Sequence, residues 1–231
     1  MQITLRTSTA NTQLSANRTV KYIVVHYTAG TTSKSGTAIN TANYFKTAKN
    51  VSADFIVDDN TIVQYNPDIK NRYCWHCGGA KYNNEGGGFF GKCTNHNSIG
   101  IEICCNNSTG KMQNANDKSY SFSEAALNNA LILINQLMQQ YNVPKENVIR
   151  HYDVNGKPCP GIIGWNAESG SECEWFNFKA KIQNTKLTEI KSDKLFTVQI
   201  GTFANKENAE RFLKEVQKNY PNAFIKENKN A

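Results

Sequence analysis

The chain has no run of roughly 18 or more apolar residues, so none of its 231 residues reads as a membrane-spanning helix. Its first residues, MQITLRTSTANTQLSANRT, lack the apolar core and small-residue cleavage site of a secretory signal. The expectation is synthesis in the cytoplasm without membrane insertion. The chain also lacks an even set of cysteines. The seven present, at 74, 77, 93, 104, 105, 159 and 173, argue for metal ligands or free thiols over a disulfide framework in a reducing compartment. No Lys/Arg stripe interleaved with aromatics stands out, which counts against a nucleic-acid partner. No pair of acids stands out either, which counts against a glycosidase.

What is present is enough for a globular core. Apolar residues make up 39% and charged residues 19%, which excludes a wholly disordered chain. At about 100–200 residues per domain, the length allows one full domain and a small second one. Lys and Arg exceed Asp and Glu, 26 against 19, and a net charge of +7 suits a polyanionic partner such as nucleic acid, an anionic membrane or an anionic cell wall.

Apolar patterning predicts the elements. Tyr22–His26 reads as a buried strand and Ala38–Lys49 as a weakly periodic helix. Phe55–Asp58 and Thr61–Tyr65 flank Asp59-Asn60 as a hairpin. Residues 78–91 hold six of the fifteen glycines and read as a long loop. Ser98–Cys104 alternates Ile99, Ile101 and Ile103 with Gly100, Glu102 and Cys104, a period-2 strand. A helix is expected from about Phe122 to Tyr141, with Leu127, Leu131, Ile134, Met138 and Tyr141 on its apolar stripe and Ser121 and Glu124 as a capping box. Asn147–His151 is a short strand and Glu174–Gln183 a last helix. Interleaved strands and helices over residues 1–183 indicate an α/β domain.

Three residues have the chemistry of an open zinc site. His26 and His151 each end an apolar strand, and Cys159 is held between Pro158 and Pro160. Three protein ligands leave a fourth tetrahedral position for water, the pattern of catalytic zinc. The alternative is two satisfied core histidines and a buried thiol. Glu102 stands mid-strand between isoleucines, where an ionised carboxylate is seldom found unless paired or working. On the face opposite the isoleucines it would reach a cleft beside the metal and move protons there. The alternative is a solvent-facing residue on a one-sided sheet. A second metal signal is Cys74-x2-Cys77, fifteen residues, then Cys93-x2-His96, which has zinc-ribbon spacing. Its alternatives are free thiols or an adventitious disulfide.

The segments IVVHYTAG, SIGIEIC and RHYDVNGKPCPG together resemble the zinc-dependent N-acetylmuramoyl-L-alanine amidases of the amidase-2 type, relatives of phage lysozyme-amidases and peptidoglycan recognition proteins. The resemblance covers roughly residues 15–183. It implies a central mixed β-sheet flanked by helices, with the metal in a groove on one face. It places Zn2+ on His26, His151 and Cys159, the catalytic glutamate on Glu102, and an oxyanion-stabilising base on Lys157. The implied reaction is hydrolysis of the amide between N-acetylmuramic acid and L-alanine in bacterial peptidoglycan. Many relatives carry a Tyr near the zinc where Ala53 stands here, which shifts weight onto Glu102. Asp54 either caps its strand or touches substrate, and Asp153 either orients a ligand or is a solvated turn residue. Trp75-His76 resembles the pair that edges the family's substrate groove, with His76 set to bond the stem peptide.

Residues 184–194 read as a polar linker. Residues 195–231 follow with a strand–helix–strand pattern and resemble the first half of a SPOR-type peptidoglycan-binding domain. The helix over 206–220 puts Ala209, Phe212, Leu213 and Val216 on one face. So short a unit is too small for its own core, so it either binds wall or pairs with a second copy to complete a sheet in a dimer. The whole suggests a phage endolysin held in the cytoplasm until holin-type release, or an autolysin, its charge drawing it to anionic wall polymers. The rivals are a non-catalytic peptidoglycan-binding module, which typically lacks the Cys ligand kept here as Cys159, and a nucleic-acid-binding zinc protein.

Overall fold

A computed structural model describes residues 3–30, 36–82, 87–114, 117, 119–161, 171–183, 205–217 and 225. In chain order the elements are β1 (Ile3–Leu5), β2 (Thr12–Leu14), β3 (Tyr22–Tyr27), α1 (Thr37–Thr47), β4 (Phe55–Val57), β5 (Ile62–Gln64), β6 (Arg72–Cys74), β7 (Ser98–Ile103), β8 (Asn106–Asn107), β9 (Tyr120–Ser121), α2 (Glu124–Tyr141), β10 (Val148–Arg150), α3 (His151–Asn155), α4 (Ser171–Ala180) and α5 (Lys206–Gln217). Chain contacts divide the protein into Met1–Lys186 and Leu187–Ala231. Among the described residues no helix is long and apolar enough to cross a membrane.

The first unit is built on a six-stranded sheet in the order β1-β5-β4-β7-β3-β10. The β4–β5 hairpin is antiparallel and every other pairing is parallel, so the sheet is mixed, as the sequence implies. Central parallel strands are covered on both sides, which is why β3 and β4 are buried along most of their length.

Strand alternation assigns each residue to a face. Ile23, Val25, Phe55, Val57, Ile62, Ile99, Ile101 and Ile103 join Leu133, Ile134, Leu137, Trp175 and Phe178 in one apolar cluster between the sheet, α2 and α4. Each such side chain contributes about 1.5–3 kcal/mol by leaving water. The other face carries a cluster of Ala38, Ala42, Phe45, Ile56, Val63 and Cys74 beneath α1, and a small one of Val24, Cys77, Cys93, Ile149 and Val154.

The long helix differs from its sequence reading in start and rotation. Ser123, not Ser121, is the N-cap: its Oγ accepts from the Ala126 N–H at 3.0 Å, while Ser121 pairs with Asn106 in the β8–β9 ribbon. The deepest residues are Ala126, Ala130, Leu133, Ile134 and Leu137, and Leu127 and Tyr141 are only partly buried. Alanines at i and i+4 let the helix approach the sheet closely, which turns this neighbouring stripe inward. At its end, left-handed Asn142 closes the helix through its N–H to the Met138 carbonyl.

In the second unit α5 carries Ala209, Phe212, Leu213 and Val216, and none of its residues is buried. Residues 184–204 and 218–224 lie outside the described residues, and so do the linker and the flanking strands expected there.

Candidate metal centre

The same alternation that fills the core builds the site. Ile23 and Val25 of β3 enter the α2 face, so His26 enters the other. In β7, Gly100 and Glu102 share that second face, and Glu102 stands opposite His26 in the register. On the other side of β3, Arg150 pairs with Val25. The next residue, His151, is therefore level with His26, and the two rings lie 4.7 Å apart between centroids.

His151 opens α3 instead of ending a strand. Asp153 causes this: its carboxylate accepts from the Arg150 N–H at 2.8 Å and binds the Arg150 guanidinium at 2.7 Å, which turns the backbone. Asp153 thus caps the helix, and its recorded partner is Arg150. The helix ends at Gly156, whose φ of +83° is one that a side chain would oppose. The Tyr152 N–H then donates to the Cys159 carbonyl at 3.0 Å and returns the chain to the sheet. Cys159 Sγ ends 3.7 Å from His26 Nδ1.

His26, His151 and Cys159 are all buried, and each offers a ligand atom within 4.8 Å of the others. Both ring nitrogens of His151 are buried without a hydrogen-bond partner, as is Oε2 of Glu102. Leaving a buried polar atom unpaired costs about 1–3 kcal/mol, so these atoms point to a missing partner. Burial, then the neighbouring His151, holds His26 well below the usual histidine range. Burial, then Lys157, lowers His151 to about 3. Both imidazoles are therefore neutral, the form that ligates a metal. Burial and the nearby Glu102 push the Cys159 thiol up in the metal-free protein. Two neutral histidines and one thiol suit zinc by donor type and number. Burial raises Glu102 to about 8 against the opposing charge of Lys157. Lys157 itself is exposed, with only its charge reaching the cluster.

Buried polar groups brace this face. Asp54 Oδ2 accepts from the Gly100 N–H at 2.8 Å, and Asp54 Oδ1 lies 3.6 Å from the fully buried Arg18 guanidinium. Asp54 is therefore an internal brace between β4 and β7. Ala53 is buried in the α1 cluster.

The other sequence candidates separate. Trp75 is partly exposed and packs edge-on against Tyr73 at 5.6 Å. His76 points inward: its Nδ1 lies 3.1 Å from His26 Nε2 and its Nε2 3.2 Å from Ser98 Oγ. Both nitrogens are engaged, so His76 has none to offer a peptide, contrary to the sequence expectation. Cys74, Cys77, Cys93 and His96 do not converge. Cys74 ends β6 in the α1 cluster, Cys77 and Cys93 share the other small cluster, and His96 is exposed against Tyr73. Strand alternation sends Cys74 to a different cluster from Cys77, so ribbon spacing gives no four-ligand group here.

Sequence reasoning missed Ser98 and Gly100. A Cβ on Gly100 would lie 2.6 Å from His76 Cγ, so the glycine makes room for the ring. The available signal was a glycine inside an isoleucine strand, which marks close approach by another group.

Comparison with known proteins gives two matches. The N-acetylmuramoyl-L-alanine amidase family model matches residues 16–162, and the SPOR domain model matches residues 177–230. The SPOR match begins within α4, whose Phe178 packs in the catalytic-unit core. CwlH of Bacillus subtilis is 36% identical over 149 residues, covering 63% of this chain and 50% of CwlH. XlyA of Bacillus subtilis is 35% identical over 152 residues, covering 65% of this chain and 43% of XlyA. Both are N-acetylmuramoyl-L-alanine amidases, and this chain spans about half the length of such relatives. The solved structure of the catalytic domain of XlyA superposes with a TM-score of 0.55 at 30% identity, over 79% of this chain and 100% of that one. PlyL gives 0.55 at 28%, over 80% and 98%.

Proposed function

Because this chain belongs to the N-acetylmuramoyl-L-alanine amidase family, we propose that it is a zinc-dependent peptidoglycan hydrolase cleaving the amide between N-acetylmuramic acid and L-alanine. The observation that carries the reading is one buried cluster, His26, His151 and Cys159, with a partnerless Glu102 oxygen on the same sheet face. A zinc ion held by these three residues would supply Lewis acidity to a carbonyl oxygen and acidity to water.

The chain's own residues do the rest. Glu102, raised to about 8, holds a proton near neutral pH at a carboxylate oxygen sealed from solvent. It accepts the proton of the attacking water and delivers it to the departing amine of L-alanine, which leaves as a neutral amine. Lys157 supplies a mobile ammonium to the oxygen that becomes negative as water adds to the carbonyl. The half-exposed Trp75 offers an apolar edge to the bound glycopeptide.

The SPOR match supports a wall-binding role for residues 195–231, beginning after the linker at 184–194. Pairing through the unburied face of α5 is the second role for the same segment, and a monomer by light scattering at high concentration excludes it. Together these parts describe an endolysin or autolysin.

The reaction is tested on a defined muramoyl-peptide. The full chain with zinc is expected to release the L-alanine amine and create no new reducing ends. A chelator should stop the release and added zinc restore it. New reducing ends, or turnover indifferent to chelation, would overturn the assignment.

A further inference from the structure

We propose that His76 is a positioning residue that dictates which nitrogen of His26 faces the metal. Following the hydrogen-bond chain from its far end assigns every proton. The Thr94 carbonyl can only accept, so the 2.6 Å contact from Ser98 Oγ uses the single Ser98 proton. Ser98 Oγ is then an acceptor toward His76 Nε2 at 3.2 Å, which puts the His76 proton on Nε2. Its second lone pair receives the Cys77 thiol at 3.5 Å. His76 Nδ1 is left with a lone pair, and at 3.1 Å it accepts from His26 Nε2–H. The free lone pair of His26 is therefore on Nδ1, the atom 3.7 Å from Cys159 Sγ.

The ring that transmits this order is itself fixed. The backbone N–H groups of His76 and Cys77 both donate to Asn95 Oδ1, at 3.0 and 2.8 Å. The imidazole lies against Gly100, where a Cβ would approach His76 Cγ to 2.6 Å. Ser98 is fully buried, so water does not compete for its hydroxyl. An outer partner of this kind raises ligand basicity and holds the ligating tautomer, and its loss typically costs about 10–100-fold in metal affinity.

The inference rests on the reading of His26 as a metal ligand, and the test separates the two. In the full chain, metal-free at pH 8 and labelled with nitrogen-15 at histidine, long-range proton–nitrogen spectra should show His26 protonated at Nε2 and His76 at Nε2 alone. A His26 protonated at Nδ1, or a His76 carrying both protons, overturns the proposal without needing any variant. Zinc affinity, measured by competition with a chromophoric chelator, should fall about 10–100-fold in His76→Leu. It should recover to within severalfold of the native value in His76→Asn, whose Oδ1 takes the place of the accepting nitrogen. Equal weakness in both variants marks a packing role and sinks the idea. A native chain that binds no zinc overturns the parent reading of the site; one that binds zinc through a His26 protonated at Nδ1 overturns only this inference.

Discussion

The two faces of the central sheet are made by the same strands and carry opposite chemistry. On the α2 face, isoleucines and valines of β3, β4 and β7 meet alanines and leucines in a dry cluster. On the other face, one residue along in β3 and β7, stand His26, Gly100 and Glu102, with buried polar atoms that lack partners. A fold selected for stability alone would not keep a partnerless carboxylate oxygen and a partnerless imidazole there, since each costs about 1–3 kcal/mol. One face supplies the free energy that the other spends on reactivity.

The comparison is broken most severely by removing a ligand. Cys159→Ala is expected to lower zinc affinity by on the order of 10³-fold, several of the roughly 10–16 kcal/mol a zinc site provides, and to abolish amide hydrolysis. Thermal stability of the metal-free protein should hardly move, because Cys159 belongs to neither large apolar cluster. Equilibrium dialysis with metal analysis reads the first effect, and calorimetry after chelation the second. Glu102→Gln is the next largest. It should keep one zinc per chain and lower kcat by about 10²–10⁴-fold. Loss of zinc together with activity would instead make Glu102 part of the metal's coordination.

The opposite face should respond in the opposite way. Leu133→Ala, at 1% exposure beneath the sheet, is expected to destabilise by about 2–5 kcal/mol and leave zinc affinity unchanged. Leu127→Ala, on the stripe the sequence favours but only partly buried, should cost about 1 kcal/mol or less. Denaturant unfolding of the pair checks the rotation of α2, and equal losses would contradict it.

How far the sequence carried differs between the faces. Alternation in SIGIEIC and the apolar run before His26 reveal both the core side and the site side, since period two is local. That His26, His151 and Cys159 converge is not local, because it depends on β3, β7 and β10 lying side by side in parallel. The Cys74–Cys77 spacing misled for the same reason: it measures distance along the chain and is blind to the strand that sends Cys74 elsewhere. The rotation of α2 escaped because helix stripes one residue apart are both apolar here, and only the tight alanine contact selects between them. His76 was read as a groove residue because nothing near it in sequence reveals Ser98 or His26 as its partners.

The smallest effect concerns the protons of the site in the metal-free protein. His151 falls to about 3 and His26 well below its unfolded value of 6.5, so the folded state refuses protons that unfolded histidines accept. Their contribution to stability is present above pH 6.5 and is lost as pH falls toward 3. Glu102 runs the other way: raised from 4.5 to about 8, it holds a proton in the folded state that the unfolded state has released. Its contribution is full below pH 4.5 and is lost as pH rises to 8. Between 4.5 and 6.5 two histidines outweigh one carboxyl and the site gains stability with pH, whereas between 6.5 and 8 Glu102 acts alone and the site loses it. Chelated Glu102→Gln should therefore gain on the native chain over pH 6.5–8, by about a few degrees in Tm, and the two melting curves should draw together on the acid side. The difference between the two proteins isolates this carboxyl from every other titrating group. A Tm gap independent of pH over that window would place the Glu102 proton outside the sealed environment that the reactive face provides.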